Sequence, residues 1–289
     1  MKVIHKISDF FIFSNLLIAS AALAQCALTY LIFNQEINYD ILGIETTATL
    51  LLYNFSILLS KPKNPQNSIY ARTRWIFKYT YVIWASSLLS MLLMFYFTFQ
   101  ISFESFLFLG AIGAFSLLYA IPVVRYKGVK IGLRNIPFVK LFHIAFIWTC
   151  SSVILPVIEL TAEGIHVDLD QVIYLSVMKF LFLIICTLPF DIRDFKQDSS
   201  YNLITIPTYF GIEKAKMINY VLLIVHSGLI VLSPFELDVK IGLLFTNALI
   251  CIFLKQYVFK GVNEYNKVYL LDAFLVVQFL LVYASMMIY

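Results

Sequence analysis

Residues 171–198 read QVIYLSVMKFLFLIICTLPFDIRDFKQD. The run from Gln171 to Phe190 is apolar enough to cross a bilayer, which takes about 20 such residues. Three carboxylates follow it at i, i+3 and i+7: Asp191, Asp194 and Asp198. On one helix they fall at about 0°, 300° and 340°, a single narrow face. Carboxylates so placed repel one another unless a cation lies between them. The pattern points to Mg²⁺, a hard ion that takes oxygen ligands and bridges carboxylates to substrate phosphates. A solvated acidic loop is the simpler alternative. It accounts for the acids but not for their spacing or their place at a membrane surface.

The rest of the chain is as oily as this segment. Of its 289 residues 61% are hydrophobic and only 13% are charged, and the mean hydropathy is +0.86. No soluble domain of this size needs so much apolar surface, so the chain is expected to be an all-α polytopic membrane protein. Nine spans are expected, at roughly 8–33, 41–60, 76–99, 102–123, 136–157, 171–190, 215–233, 239–258 and 268–288. Long uniform apolarity without period-2 alternation favours helices over a β-barrel. Lys2 and Lys6 precede a run that reaches Ala22-Leu23-Ala24, as in a signal peptide. That run continues to Phe33, too long for a signal core, and is read as the first span. Cys26, Cys150, Cys186 and Cys251 are scattered in apolar runs and read as small core residues. No linker or soluble insertion interrupts the chain, and residues 1–289 read as one membrane domain.

Loop charge sets an orientation. With the N-terminus inside, the inner segments carry Lys2, Lys6, Lys61, Lys63, Arg72, Arg74, Lys78, Arg125, Lys127, Lys130, Arg134, Arg193, Lys196, Lys214, Lys216, Lys255, Lys260 and Lys267. The opposite loops are acidic, with Lys240 their only cation. This is a positive-inside pattern, and one span more or fewer would invert every later loop. The expected setting is the bacterial inner membrane, with the N-terminus and the Asp191–Asp198 stretch cytoplasmic.

Downstream lies Thr205-Ile206-Pro207-Thr208-Tyr209-Phe210-Gly211. The string Asp191-x-Arg193-Asp194-x-x-x-Asp198, followed by Thr205-Ile206-Pro207 and Gly211, resembles the second aspartate-rich motif of the UbiA superfamily of intramembrane prenyltransferases. Leu118-Tyr119 with Pro122, and Leu133-Arg134-Asn135-Ile136-Pro137 with Lys140, are similar to the same family. The resemblance implies a bundle of nine transmembrane helices and two aspartate-rich motifs, after the second and sixth spans. It also implies Mg²⁺-dependent transfer of a prenyl group from a polyprenyl diphosphate to a lipid-soluble aromatic or lipid acceptor, within membrane lipids. No nucleic-acid partner is expected.

The first motif departs from the family. After the second span, Asn54 fits the leading asparagine, but Phe55, Leu58 and Pro62 stand where acids belong. An amide oxygen ligates Mg²⁺; Phe, Leu and Pro do not. One of the two implied metal sites is lost or severely weakened.

Within this reading Asp191, Asp194 and Asp198 are the catalytic metal ligands. Asn54, Lys61, Lys130, Lys140, Arg193 and Lys196 are the candidate contacts to diphosphate, with Arg suited to bidentate phosphate contact. Lys61, or Lys63 beside it, would stand in for the missing acid-bound metal by neutralising diphosphate directly. Lys140 sits one turn inside the fifth span, where an ammonium needs an anionic partner or snorkels to the interface. Lys179 lies too deep for the same metal and either snorkels to the opposite surface or pairs in the bundle. His143 shares a face with Lys140 and reads as a packing histidine before a base. His226 and Asp272 read as buried polar groups with polar neighbours. A second reading is a non-catalytic relative that binds an isoprenoid or supports another membrane enzyme. A third is a carrier, without the matched broken helices that would favour it. The Asp-Gly-x-x-Ala-Arg opening of CDP-alcohol phosphotransferases is lacking at Asp191-Ile192-Arg193.

Overall fold

The computed structural model describes residues 2–59, 61–68, 70–120, 124–126, 129–133, 136–260 and 267–288, of which 2–6, 119–120, 124–126, 129–131 and 267 by backbone alone. Fourteen helices order the chain among these residues: α1 Lys2–Phe13, α2 Leu16–Ile32, α3 Tyr39–Leu59, α4 Ala71–Lys78, α5 Thr80–Thr98, α6 Phe103–Ala120, α7 Val139–Thr149, α8 Leu155–Ala162, α9 Leu169–Arg193, α10 Phe195–Ser200, α11 Ile206–Phe210, α12 Ile212–Leu232, α13 Leu237–Phe253 and α14 Leu271–Ile288. Between α6 and α7 runs an antiparallel hairpin, β1 (Val124–Tyr126) with β2 (Val129–Ile131), pairing Val124 with Ile131 and Arg125 with Lys130.

The apolar segments fall where the sequence places them. Seven helices are each long and apolar enough to cross a membrane: Tyr39–Leu59, Thr80–Thr98, Val139–Ala162, Leu169–Arg193, Ile212–Leu232, Leu237–Val258 and Val268–Ile288. A bent pair, Ile7–Phe13 with Leu16–Ile32, passes the same test taken together, and Phe103–Leu118 is a shorter apolar helix at the position of the expected fourth span. This is an integral membrane helical bundle. α5 turns Trp84, Leu88, Leu92 and Phe95 outward, as lipid-facing surface requires.

Two departures from the expected spans have local causes. The first span is not continuous: α1 and α2 meet at 70°. At the joint Asn15 adopts a left-handed backbone with φ 65°, a conformation asparagine tolerates better than most residues. The Ser14 hydroxyl donates to the Phe10 carbonyl at 2.6 Å. The fifth span is longer than expected because α7 passes through a π-helical turn, Cys150–Ile154, into α8. Pro156 opens α8, and a proline supplies no N–H to the helix ladder.

Packing is close at small residues. α2 buries Ala19, Ala21, Ala22, Ala24 and Ala27, which lets neighbouring backbones approach. At Gly242 of α13 an added Cβ would stand 2.6 Å from the Val282 Cα of α14, so no side chain fits there. The largest core cluster joins α2, α7, α9, α12, α13 and α14 through Ile18, Trp148, Phe182, Ile185, Leu223, Ile250 and Leu271. Pro189 lies inside α9 and leaves the carbonyl of Ile185 without its helical donor. The buried amide of Asn219 on α12 donates to that carbonyl at 3.1 Å.

Lys179 neither snorkels nor stays free. It is 3% exposed, and its ammonium donates to the Gln25 carbonyl, to Thr29 Oγ1 at 2.8 Å and to Ser152 O at 3.4 Å. The π turn presents Ser152, so one lysine ties α2, α9 and the α7–α8 joint. His226 pairs with Asn247 at 3.1 Å. His143 packs its ring 4.7 Å from that of Phe115.

Candidate active site

The site is built at the end of the sixth span. α9 closes at Arg193 and Asp194 caps it, its N–H donating to Phe190 O at 2.9 Å. The chain re-enters a helix at Phe195, with Asp198 N–H donating to Asp194 O at 2.8 Å. Leu203 N–H then donates to Asp198 O at 2.9 Å, turning the chain back. A capping box at Thr205 and Thr208 starts α11, and Gly211, with φ 89°, allows the turn into α12.

This turn is tied to the fifth span. Phe138 N–H donates to Ile204 O at 2.8 Å. Phe138 itself is left-handed, with φ 64°, a rare conformation for a bulky residue. Its ring packs 5.5 Å from that of Tyr209 and 6.5 Å from that of Phe210. The first turn of α7 is thereby set beside α9 and α10. Lys140 Nζ reaches Asp191 Oδ1 at 2.8 Å and Asp198 Oδ2 at 3.1 Å. Both carboxylates are buried, and the lysine side chain is 18% exposed. The cation between these two acids is thus supplied by the protein. Removing one partner of such a buried pair costs about 3–5 kcal/mol, because the other charge is left uncompensated.

The third acid does not join them. Asp194 is held bidentately by its neighbour Arg193, Nε to Oδ1 at 2.8 Å and the terminal nitrogen to Oδ2 at 2.9 Å. The expectation of three acids converging on one face is corrected: the helix stops at Arg193, and its guanidinium takes Asp194. Among the described residues, no group of three His, Cys, Asp or Glu side chains is arranged to hold a metal ion. A smaller donor set remains. Asp191 Oδ2 is buried and has no hydrogen-bond partner among the described residues. With the Asp198 carboxylate it offers the hard oxygens that Mg²⁺ takes.

The other expected contacts are dispersed. Asn54 is fully buried, and its Oδ1 accepts from Asn15 Nδ2 at 2.7 Å. Its own amide donates to Ser86 Oγ and Ser87 Oγ at 3.0 Å. Lys61 and Lys63 are exposed in the loop after α3, and Lys61 lies 5.7 Å from the centroid of the Phe77 ring. Among the described residues neither lysine makes an ion pair with the Asp191 cluster. Lys196 is exposed on α10. Lys130 stands in β2 opposite Arg125, but its side chain lies outside the described residues, as do Arg134 and Asn135.

A second polar cluster adjoins the first. Arg193 Cζ lies 4.9 Å from the Phe190 ring centroid and 4.8 Å from that of Tyr269. Arg72, from α4, stacks on the same Tyr269 ring at 5.1 Å and donates to Asn15 Oδ1. Asp272 at the start of α14 is within electrostatic reach of both arginines.

The course of the helices around this site matches known structures. A UbiA homologue from Aeropyrum pernix K1 aligns over 95% of this chain and 98% of its own, at a TM-score of 0.65 and 14% identity. A UbiA homologue from Archaeoglobus fulgidus aligns over 96% and 99%, at 0.62 and 12%. The chain has the UbiA fold. No family model and no curated protein matches the sequence, so the UbiA fold here is carried on a far-diverged sequence. The Archaeoglobus UbiA homologue has also been solved bound to GPP and Mg²⁺; in that form it aligns at a TM-score of 0.59 and 13% identity, over 95% of this chain and 99% of that one.

Arg72, Asn15 and Tyr269 border the candidate site, and sequence reasoning did not single them out. Arg72 reads as one more inner-loop charge. Asn15 carried a usable signal, since Ser14-Asn15 is a polar pair inside an apolar run. Such a pair breaks a span or faces a polar partner.

Proposed function

We propose that this chain is a membrane prenyltransferase of the UbiA superfamily, which binds a prenyl diphosphate at the Asp191–Asp198–Lys140 cluster and transfers the prenyl group to a lipid-soluble acceptor. The observation that carries the reading is the buried pairing of Lys140 with both Asp191 and Asp198, beside a buried Asp191 oxygen with no hydrogen-bond partner. An enclosed set of charges at one end of a membrane bundle is costly unless a ligand uses it. The fold supports the same reading, since solved relatives hold prenyl diphosphates with Mg²⁺. The positive-inside pattern supports a cytoplasmic position for the cluster.

In this mechanism Lys140 fixes the spacing of Asp191 and Asp198 before substrate arrives. Asp191 Oδ2 and Asp198 would hold Mg²⁺, whose chemistry when bound is Lewis-acid neutralisation of charge on the diphosphate. Breaking the C–O bond leaves the electron pair on the diphosphate and an allylic cation on the prenyl carbon. The acceptor's nucleophilic atom then bonds to that carbon and releases its proton. Lys140 and Arg193 stabilise the growing negative charge by donating to the leaving oxygens. Phe190 and Tyr269 present π faces beside the site, and π faces attract cations.

The experiment is release of inorganic diphosphate by the purified protein from a panel of prenyl diphosphates with an acceptor-containing lipid extract. Release that needs Mg²⁺ and is lost in Asp191→Ala is expected. No release across the panel leaves the second reading, binding without turnover. One observation favours that alternative: the Asn54 oxygen is spent on Asn15 and no acid follows it.

A further inference from the structure

α1 lies across the end of the bundle that carries the Asp191 cluster. It is bent 70° from α2 and packs on α4, whose Arg72 shares the Tyr269 ring with Arg193. Beside a span near the membrane normal, a helix so bent runs close to the membrane plane. Ile7, Phe10 and Phe11 stand at i, i+3 and i+4, on one face, and all three are exposed. Phe13 is buried, its ring 6.0 Å from that of Trp75. A chain of rings continues the exposed face onto α4 and α5. Its centroid distances are 6.4 Å from Phe11 to Phe10, 5.9 Å from Phe10 to Trp75, 5.2 Å from Trp75 to Tyr79 and 6.3 Å from Tyr79 to Tyr81.

α4 edges these rings with charge. Arg74 and Lys78 are exposed at i and i+4, neighbours on one face. Lys78 Nζ lies 5.2 Å from the Tyr79 ring centroid, and Lys61 Nζ lies 5.7 Å from that of Phe77. Among the described residues none of these three cations makes an ion pair. Asp9 is the acid of α1, and a helix turns about 200° in two residues, so Asp9 faces away from Ile7 and Phe11. Apolar rings edged by cations match the boundary between acyl chains and headgroups, where aromatic side chains gather and basic ones meet anionic lipid. The ring chain also runs into the lipid-facing side of α5, where Tyr81 and Trp84 are exposed. That continuity favours lipid over a soluble partner.

We propose that α1 and α4 form an interfacial platform that binds anionic phospholipid of the surrounding leaflet. Arg74, Lys78 and Lys61 contact the headgroup phosphates, and Phe10, Phe11 and Trp75 sit among the upper acyl chains. The inference stands apart from the diphosphate reading.

The test uses the purified full-length protein with Trp84→Phe and Trp148→Phe, which leaves Trp75 as its one tryptophan. It is reconstituted into equal mixtures of phosphatidylcholine and phosphatidylglycerol, with bromine high on the acyl chains of one lipid or of the other. Brominated phosphatidylglycerol is expected to quench Trp75 more than brominated phosphatidylcholine, and salt is expected to weaken that preference. Arg74→Gln and Lys78→Gln are each expected to lower the preference about fivefold, and Arg74→Lys to keep most of it. Lys214→Gln with Lys216→Gln, a loss of two charges on α12, is expected to leave it unchanged. If the double-phenylalanine background does not fold, by its melting curve, Trp75→Phe in the natural chain gives the Trp75 share by difference. If Arg74→Gln does not fold, Lys78→Gln decides. Equal quenching by the two lipids at low salt overturns the proposal. So does a loss on α12 as large as that on α4, which would mean that distant charge alone sets the preference. Quenching by neither lipid also overturns it, since protein would then cover this face.

Discussion

Phe138 and Ile204 are joined by one backbone hydrogen bond of 2.8 Å, and that bond sets the register of the site. It ties the turn after α10 to the residue two before Lys140. Phe138 holds a left-handed backbone to make it. For a residue other than glycine this conformation costs about 1–2 kcal/mol.

Phe138→Gly removes that cost but loses the ring that packs on Tyr209 and Phe210. Phe138→Ala loses the ring and keeps the cost. The glycine variant is expected to be the more stable of the two, by about 1 kcal/mol. Melting curves of both purified proteins in one detergent check this; equal melting would show that the backbone carries no strain.

Lys140→Met leaves Asp191 and Asp198 facing each other without their cation. A loss of about 3–5 kcal/mol in stability is expected from the uncompensated buried charge. Mg²⁺ is expected to recover more stability in this variant than in wild type, because the space between the acids is open to it. Thermal melting with Mg²⁺ and with chelator measures both effects. A variant as stable as wild type, with no added response to Mg²⁺, would contradict the pairing.

Lys179→Met tests whether the deep lysine is structural. It removes the ammonium's bonds to Gln25 O, Thr29 Oγ1 and Ser152 O, while Thr29 Oγ1 still donates to Ser152 O at 2.6 Å, so the expected cost is that of hydrogen bonds to a charged group, about 1.5–3 kcal/mol. The melting temperature is expected to fall while the affinity for inorganic diphosphate holds. A matching loss of affinity would place Lys179 in the ligand site.

Asn219→Leu removes the donor that answers Pro189. The Ile185 carbonyl is then buried without a partner, at about 1–3 kcal/mol. Restoring the helix's own donor with Pro189→Ala in the same chain is expected to return much of that stability. A double variant no more stable than Asn219→Leu alone would show that the two residues are not coupled.

Much of the fold was legible because a span leaves a direct trace, about 20 apolar residues bounded by charge. The segments ending at Phe190 and starting near Val268 needed nothing more. The bend at Asn15 left a weaker trace, a polar pair within an apolar run. The candidate cluster was legible in Asp191, Asp198 and Lys140, whose depth called for an anionic partner or for snorkelling to the interface. Their arrangement was not. Spacing on an ideal helix placed Asp194 with Asp191 and Asp198, but the helix stops at Arg193, which claims Asp194 locally. Lys61 and Lys63 were nearer to Asn54 in sequence than Arg72 is, yet Arg72 makes the inward contact. Its path depends on the Asn15–Asn54 bond and the Tyr269 ring, which join three distant parts of the chain. Periodicity reports such long-range contacts poorly.

The central claim is that Asp191 and Asp198, held by Lys140, form a prenyl diphosphate site. Its most direct test is calorimetric titration of geranyl diphosphate, with Mg²⁺, into the purified wild-type protein and into Asp191→Asn and Asp198→Asn. Saturable binding by wild type, weakened about tenfold or more in each variant, is the predicted result. Equal affinity in all three proteins, or no binding by the wild type, would contradict it.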